Sequence, residues 1–420
     1  MNQDVLTGRP PRDTGRAALR HAVGGWLTRH AAWCLAASLA AHVLAYGFFP
    51  PDTMDLRVYR EAAPHLLSGD LYGFQLRTVP PLRLLSFTYP PFAALVFLPL
   101  SRLPWTVVYL LWQLASVAAL FVIAHCAGRL PAPVPRGRAR SRALLWTAAG
   151  LWLEPVRHTL DQGQVNLILA ALVLAGLTRL RTAAGRGAAL GLATAVKLTP
   201  AFGGLYLLAT RQWRPALWAL AAGGAATALG WWLAPRESAR YWTALVLDTH
   251  RIGPVWSVRN QSLRGALSRL LGQDPAGGPL WWAALALVTV LAIRALWAAM
   301  RDEDPLGILV TVELYGLLLC PISWKHHWIW VLPALMWLAH GPSRHRALTR
   351  LTLAAWALVL VTRLESVLVR LEDALPHPLP YPAPLAWPGG AYVWCAVLSL
   401  LAVGNARAPR GTTGVSVATS

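Results

Sequence analysis

The sequence predicts an all-α polytopic membrane protein, a single helical bundle with roughly ten to twelve crossings and a long first extracytoplasmic loop. Three observations predict it. Of the 420 residues, 56% are hydrophobic and 13% charged, and the apolar residues gather in blocks long enough to cross a bilayer. The formal charge of +20 lies mainly in arginines of short loops between those blocks, which is the positive-inside pattern of a membrane protein and not a nucleic-acid-binding face. No stretch between blocks is long enough to bury a core of its own, so separate soluble domains are excluded.

The arginines orient the blocks. Residues 1–30 form a cytoplasmic tail carrying Arg9, Arg12, Arg16, Arg20 and Arg29, with no convincing cleavage site, which reads as an uncleaved signal anchor. Ala31 to Phe49 then runs outward into a first extracytoplasmic loop at 50–91, and Phe92 to Leu100 is short enough to be re-entrant or interfacial. Trp105 to Ala127 returns to a basic loop with Arg129, Arg136, Arg138, Arg140 and Arg142. Ala143 to His158 goes out and Val165 to Leu177 comes back, leaving the turn Asp161 to Gln164 external. Ala188 to Leu198 and Phe202 to Thr210, broken at Pro200, together count as an even crossing. Ala216 to Leu233 leads to a second extracytoplasmic loop at 234–278, whose segment SLRGALSRLLG has the pattern of a short amphipathic helix. Leu280 to Met300, Leu306 to Cys320, Trp328 to Ala339, Leu351 to Leu364 and Ala391 to Val403 complete the transmembrane domain at 31–404, and 405–420 is a cytoplasmic tail.

This topology places Asp55, Asp161, the sequence around Asn260 and the sequence around His326 on the external side. Asp55, just past the first span, is positioned to act either as a helix cap or as a base for an incoming alcohol. Tyr89 precedes two prolines, which stiffen the re-entry into the membrane interface. Of the 38 lysines and arginines only Lys197 and Lys325 are lysine, in a composition typical of a GC-rich bacterial genome, so neither reads as filler. Lys197 lies in the apolar stretch GLATAVKLTP, where an ionisable group is costly and points to function. Lys325, His326 and His327 stand between Trp324 and Trp328, a set able to hold a phosphate and stack on a sugar, or to anchor the chain at the interface. Asn260 and Gln261 beside a helix start suit sugar hydroxyls, and Glu313 is a further intramembrane charge, or the buried partner of an arginine. Cys34, Cys126, Cys320 and Cys395 have neither zinc nor disulfide spacing.

The motifs DLRVY (55–59), LLSGDLY (66–72), FTYPPFAAL (87–95), DQGQVNL (161–167), GLATAVKLTP (191–200), NQSL (260–263) and PISWKHHWIW (321–330) occur in the order in which the chain resembles glycosyltransferase family 87. That family comprises actinobacterial polyprenol-phosphate-mannose-dependent mannosyltransferases. The resemblance implies a GT-C fold in the plasma membrane and an extracytoplasmic site. It implies transfer of mannose, with inversion, from a polyprenyl-phosphate-sugar donor to a lipid-linked glycan acceptor. It further implies Asp55 as catalytic base with His327 or His326 assisting. Arg57, Lys325, Lys197, Tyr89, Gln164, Asn166, Asn260, Gln261 and Trp324 are the candidates for holding donor and substrate. A lipid phosphate is already an activated leaving group, so no cofactor and no metal is expected. The same features leave room for another polyprenyl-linked sugar, arabinose or glucose, and for a lipid or sugar flippase, which would show internal repeats.

Overall fold

The computed structural model describes residues 14–77, 84–130, 135–375 and 381–406. Arg9 and Arg12 of the N-terminal tail, the C-terminal tail from 407 onward and part of the first loop lie outside the described residues. Apolar blocks become helices because only a helix satisfies every backbone group internally where water is absent. Among the described residues five are long and apolar enough to cross a membrane: Ala31–Phe48, Trp105–Ala127, Trp213–Leu233, Pro279–Arg301 and Ala383–Gly404. Two bent pairs raise the number to as many as seven, Glu154–Gln162 with Asn166–Arg179 at 116° and Ala347–Val361 with Leu364–Asp373 at 46°. Shorter apolar helices occupy Pro91–Arg102, Thr199–Ala209 and Pro305–Leu319. Several helices start on a proline, which costs nothing at a position whose N–H has no intrahelical partner.

The peripheral helices Ala31–Phe48 and Trp213–Leu233 leave Phe48, Leu220 and Trp232 largely exposed, the apolar sheath that a bilayer covers. Pro305–Leu319 is instead buried on nearly every side, and Trp328, Trp356 and Tyr392 pack edge to face beside it. Against Trp213–Leu233 lies Ala183–Val196, held close by Gly187 and Gly191. A side chain at either position would run into the backbone near Pro215 and Ala219. Small residues four apart are how membrane helices approach closely. The helix Ala183–Val196 is capped by the Thr182 hydroxyl, which accepts from Gly185 N at 3.1 Å. It ends at Lys197, three residues before Pro200, and this stop delivers the lysine to the end of the helix.

Two loops complete the frame. The first carries the helix Met54–Ala62 and, unforeseen in an all-helical reading, an antiparallel hairpin of Gln75–Arg77 with Leu84–Ser86 that pairs Leu76 with Leu85. The second carries the expected amphipathic helix, Leu263–Leu271, capped by Ser262 Oγ accepting from Gly265 N at 3.0 Å. Gly163 ends Glu154–Gln162 in a left-handed conformation (φ 67°), and a Cβ there would stand 2.5 Å from that of Leu56. Glycine therefore allows the 161–164 turn to press on the Asp55 helix, and Thr53 N donates to Asp161 O at 2.7 Å to fasten them.

Candidate active site

Asp55 lies in the first turn of Met54–Ala62, where a carboxylate also suits the helix dipole. Its carboxylate bonds to the side chain of Gln164. The Gln164 Oε1 accepts from Tyr59 and Tyr89 hydroxyls at 3.0 and 3.1 Å, and the two phenols are 2.7 Å apart. With its carbonyl so engaged, the Gln164 amide is left with its NH2 as the donor to Asp55. Burial pushes the Asp55 carboxyl up to about 6, and Asp52 adds to this, while the Gln164 hydrogen bond and the Lys197 charge pull it down. A base in this range is ionised at neutral pH and strong enough to take a proton.

Facing this carboxylate is Lys197. Its Nζ donates to Asn166 Oδ1 at 2.8 Å, lies 3.0 Å from His327 Nε2 and stands 5.2 Å above the Tyr89 ring. Asn166 Nδ2 in turn donates to His326 O at 2.8 Å, so one amide orients both the lysine and the histidine loop. His327 meets His326 edge to face at 4.6 Å, and His326 stacks on His158 at 5.5 Å. Burial, with the Lys197 charge and His158 as smaller causes, holds the His327 imidazole well below its usual range. With Lys197 as the ammonium donor, a neutral His327 accepts at Nε2, which leaves the ring proton on Nδ1. His326 is lowered for the same leading reason.

Asp55, Tyr89, Gln164, Lys197, Trp324, Lys325, His326 and His327 all line one cavity of about 1070 Å³. Leu245, Val246 and Ile252 also line it, as does Arg251, whose Nη2 donates to Phe87 O at 2.7 Å and whose guanidinium lies over Tyr72. Arg251 is not among the residues expected from sequence. Nothing in its local sequence marks it, because it reaches the cavity only when the second loop folds onto the segment around Phe87. Trp256, Arg259, Glu372 and Asp373 belong to the lining too, with Arg259 joined to Asp373 at 2.6 Å and Glu372 at 3.3 Å. Among the described residues no cluster of three or more His, Cys, Asp and Glu converges as a metal ion requires.

Four expected contacts look different in three dimensions. The ammonium of Lys325, though its residue borders the cavity, bonds to Glu365 Oε2 at 2.7 Å and Ser366 Oγ at 2.8 Å, with Glu154 3.9 Å away. Its charge is already matched. Arg57 is exposed and lies 4.8 Å above the Trp105 ring, away from the cavity lining. Asn260 is fully buried, with Nδ2 donating to Val255 O and Pro321 O and Oδ1 accepting from Ser262 N and Ser323 N. Gln261 is likewise consumed by Val258 O, Gly389 O and Tyr392 N. The Asn260 amide ties the second loop to the 321–327 segment and the Gln261 amide ties it to Gly389 and Tyr392, and neither has a free group for a sugar. Asn260→Ala should therefore lower stability by roughly 2–4 kcal/mol, since it strands buried backbone groups. Thermal unfolding in detergent measures this, and a raised donor KM with unchanged stability would instead mark a substrate contact.

The family model described as Glycosyltransferase family 87 matches residues 87–323. A Mycolicibacterium smegmatis protein named polyprenol-phosphate-mannose-dependent alpha-(1-2)-phosphatidylinositol pentamannoside mannosyltransferase is 39% identical over 89% of this chain and 91% of its own. A Mycobacterium tuberculosis protein of the same name is 38% identical over 89% of this chain and 86% of its own. A second M. tuberculosis relative, named for phosphatidylinositol mannoside, is 36% identical over 91% and 92%. No solved structure matches the chain. With the family pattern covering more than half its length and such identity to curated members over nearly all of it, the chain belongs to glycosyltransferase family 87 and is a membrane glycosyltransferase.

Proposed function

We propose that this enzyme moves a mannosyl residue from polyprenyl-phosphate-mannose to a phosphatidylinositol-mannoside-type glycolipid. The transfer takes place at the extracytoplasmic face of the bacterial plasma membrane, with inversion. The observation that carries the reading is that Asp55 and the Lys197–His327 pair line one cavity, the carboxylate opposite the cation. Asp55 accepts the proton of the acceptor hydroxyl as its oxygen attacks the anomeric carbon. The bond from that carbon to the phosphate oxygen breaks, and its electron pair leaves with the polyprenyl phosphate. Lys197 neutralises the charge that develops there, with the neutral His327 and Asn166 keeping the ammonium in place. Arg251, in a lining that also holds Leu245, Val246 and Ile252, suits the second phosphate charge and the start of the lipid chain. Trp256, Arg259, Glu372 and Asp373 supply a ring and charged groups that suit the hydroxyls of the sugar-rich acceptor.

The names of the relatives support the donor and acceptor class, and the arginine distribution supports the face. Spheroplasts producing the protein, supplied from outside with short-chain polyprenyl-phosphate mannose, arabinose or glucose and a phosphatidylinositol mannoside, should transfer mannose alone. Transfer of another sugar overturns the donor assignment. A requirement for permeabilisation overturns the face.

A further inference from the structure

A second, smaller chamber of about 30 Å³ is bordered by His327 together with Asn166, Thr199, Phe202, Cys320, Trp330 and Glu313. His327 borders both this chamber and the large cavity, as Thr199 and Cys320 do. Glu313 sits within Pro305–Leu319, only 3% exposed, and its Oε1 has no hydrogen-bond partner among the described residues. The arginine partner that its sequence position suggested is likewise not found among the described residues. His327 Nδ1 is buried and without a partner in the same sense, because Lys197 occupies only Nε2. Two buried polar atoms with no partner of their own thus border a space whose other walls are mostly apolar. A volume of about 30 Å³ has room for one or two waters, and such sites are stable when each water has two or more polar partners.

We propose that Glu313 is a positioning residue for the transfer reaction: through water in this chamber it takes the Nδ1–H of His327, and so holds the Nε2 lone pair on Lys197. The carboxyl thereby acts on the donor phosphate two groups away, without touching substrate. A ring that lost this support would turn between its two nitrogens, and the ammonium would lose its second anchor. This rests on the reading of Lys197 and His327 as the donor-phosphate side of the site.

The test uses the full-length enzyme in nanodiscs, with polyprenyl-phosphate-mannose and a phosphatidylinositol mannoside. Glu313→Met, apolar and similar in size, should lower kcat about 10- to 100-fold, with the donor KM little changed, as expected when a catalytic group is displaced from afar. Glu313→Gln retains an acceptor oxygen and should recover most of that loss. Glu313→Ala opens the chamber to further water and should be less harmful than Met, the reverse of the order that packing alone would produce. Combined with His327→Ala, Glu313→Met should slow the reaction no further than His327→Ala does. Gln as slow as Met, Ala worse than Met, or multiplicative losses in the double variant would each overturn the proposal. If Met prevents folding, Gln and Ala are compared directly, and Gln slower than Ala overturns it. Full activity in His327→Ala alone would overturn the underlying reading of the site, a result distinguishable from failure of the Glu313 relay.

Discussion

Asp55→Asn is expected to lower kcat by about three orders of magnitude, within the range that a positioned general base contributes. The substitution is nearly isosteric and keeps an oxygen for the Gln164 amide, so the hydrogen-bonded group with Tyr59 and Tyr89 stays intact. Folding and donor binding should change little, because the Lys197 contacts to Asn166 and His327 do not depend on the carboxylate. Radiolabelled mannose transfer by purified protein measures the loss. Turnover within tenfold of the unaltered enzyme would remove Asp55 from the chemistry. The unaltered enzyme supplies a companion signature. Only the ionised carboxylate accepts a proton, so kcat/KM should fall as pH drops through about 6, where the carboxyl titrates.

Lys197→Met should be the next most damaging change, lowering kcat roughly 10²- to 10³-fold, the usual cost of removing a donor aimed at developing charge. It has a second consequence with a defined sign. The Lys197 ammonium favours the charged form of Asp55 and so holds its carboxyl down. Removing that cation raises the carboxyl further, and the acid limb of the kcat/KM profile should move above about 6, toward alkaline pH. A profile that kept its position would show that the two groups do not sense each other across the cavity. Residual activity that rises with pH would fit a base still present but harder to ionise.

The two lysines show how far local sequence reaches. Both stand out against 36 arginines, yet Lys197 opens onto the cavity while Lys325 is taken up by Glu365 and Ser366. Rarity marks a residue as unlike filler and says nothing about which carboxylate will come to it from 40 positions away. The same holds for Asn260 and Gln261. An amide that can bind a sugar hydroxyl binds backbone carbonyls equally well, and the fold of the second loop supplied the carbonyls. Arg57 does not line the cavity that its position suggested, and Arg251, which nothing in its local sequence marks, does. Adjacency to Asp55 along a helix turns Arg57 outward onto Trp105, whereas Arg251 arrives from a different loop. The hairpin in the first loop also escaped prediction, as short alternating segments carry little periodicity.

Composition and motif order alone establish that this chain lives in a bilayer and which family it belongs to. Long apolar runs have one stable form in lipid, and seven motifs in fixed order carry a family signature without reference to geometry. Only the tertiary structure decided which polar side chains meet. Residues on separate elements, Asp55 and Gln164, Lys197 and His327, are brought together by close helix packing at Gly187 and Gly191 and by a turn that only Gly163 permits. Those contacts depend on the shape of the packed bundle, because a buried hydrogen-bonding group must find its partner in space, wherever that partner lies along the chain.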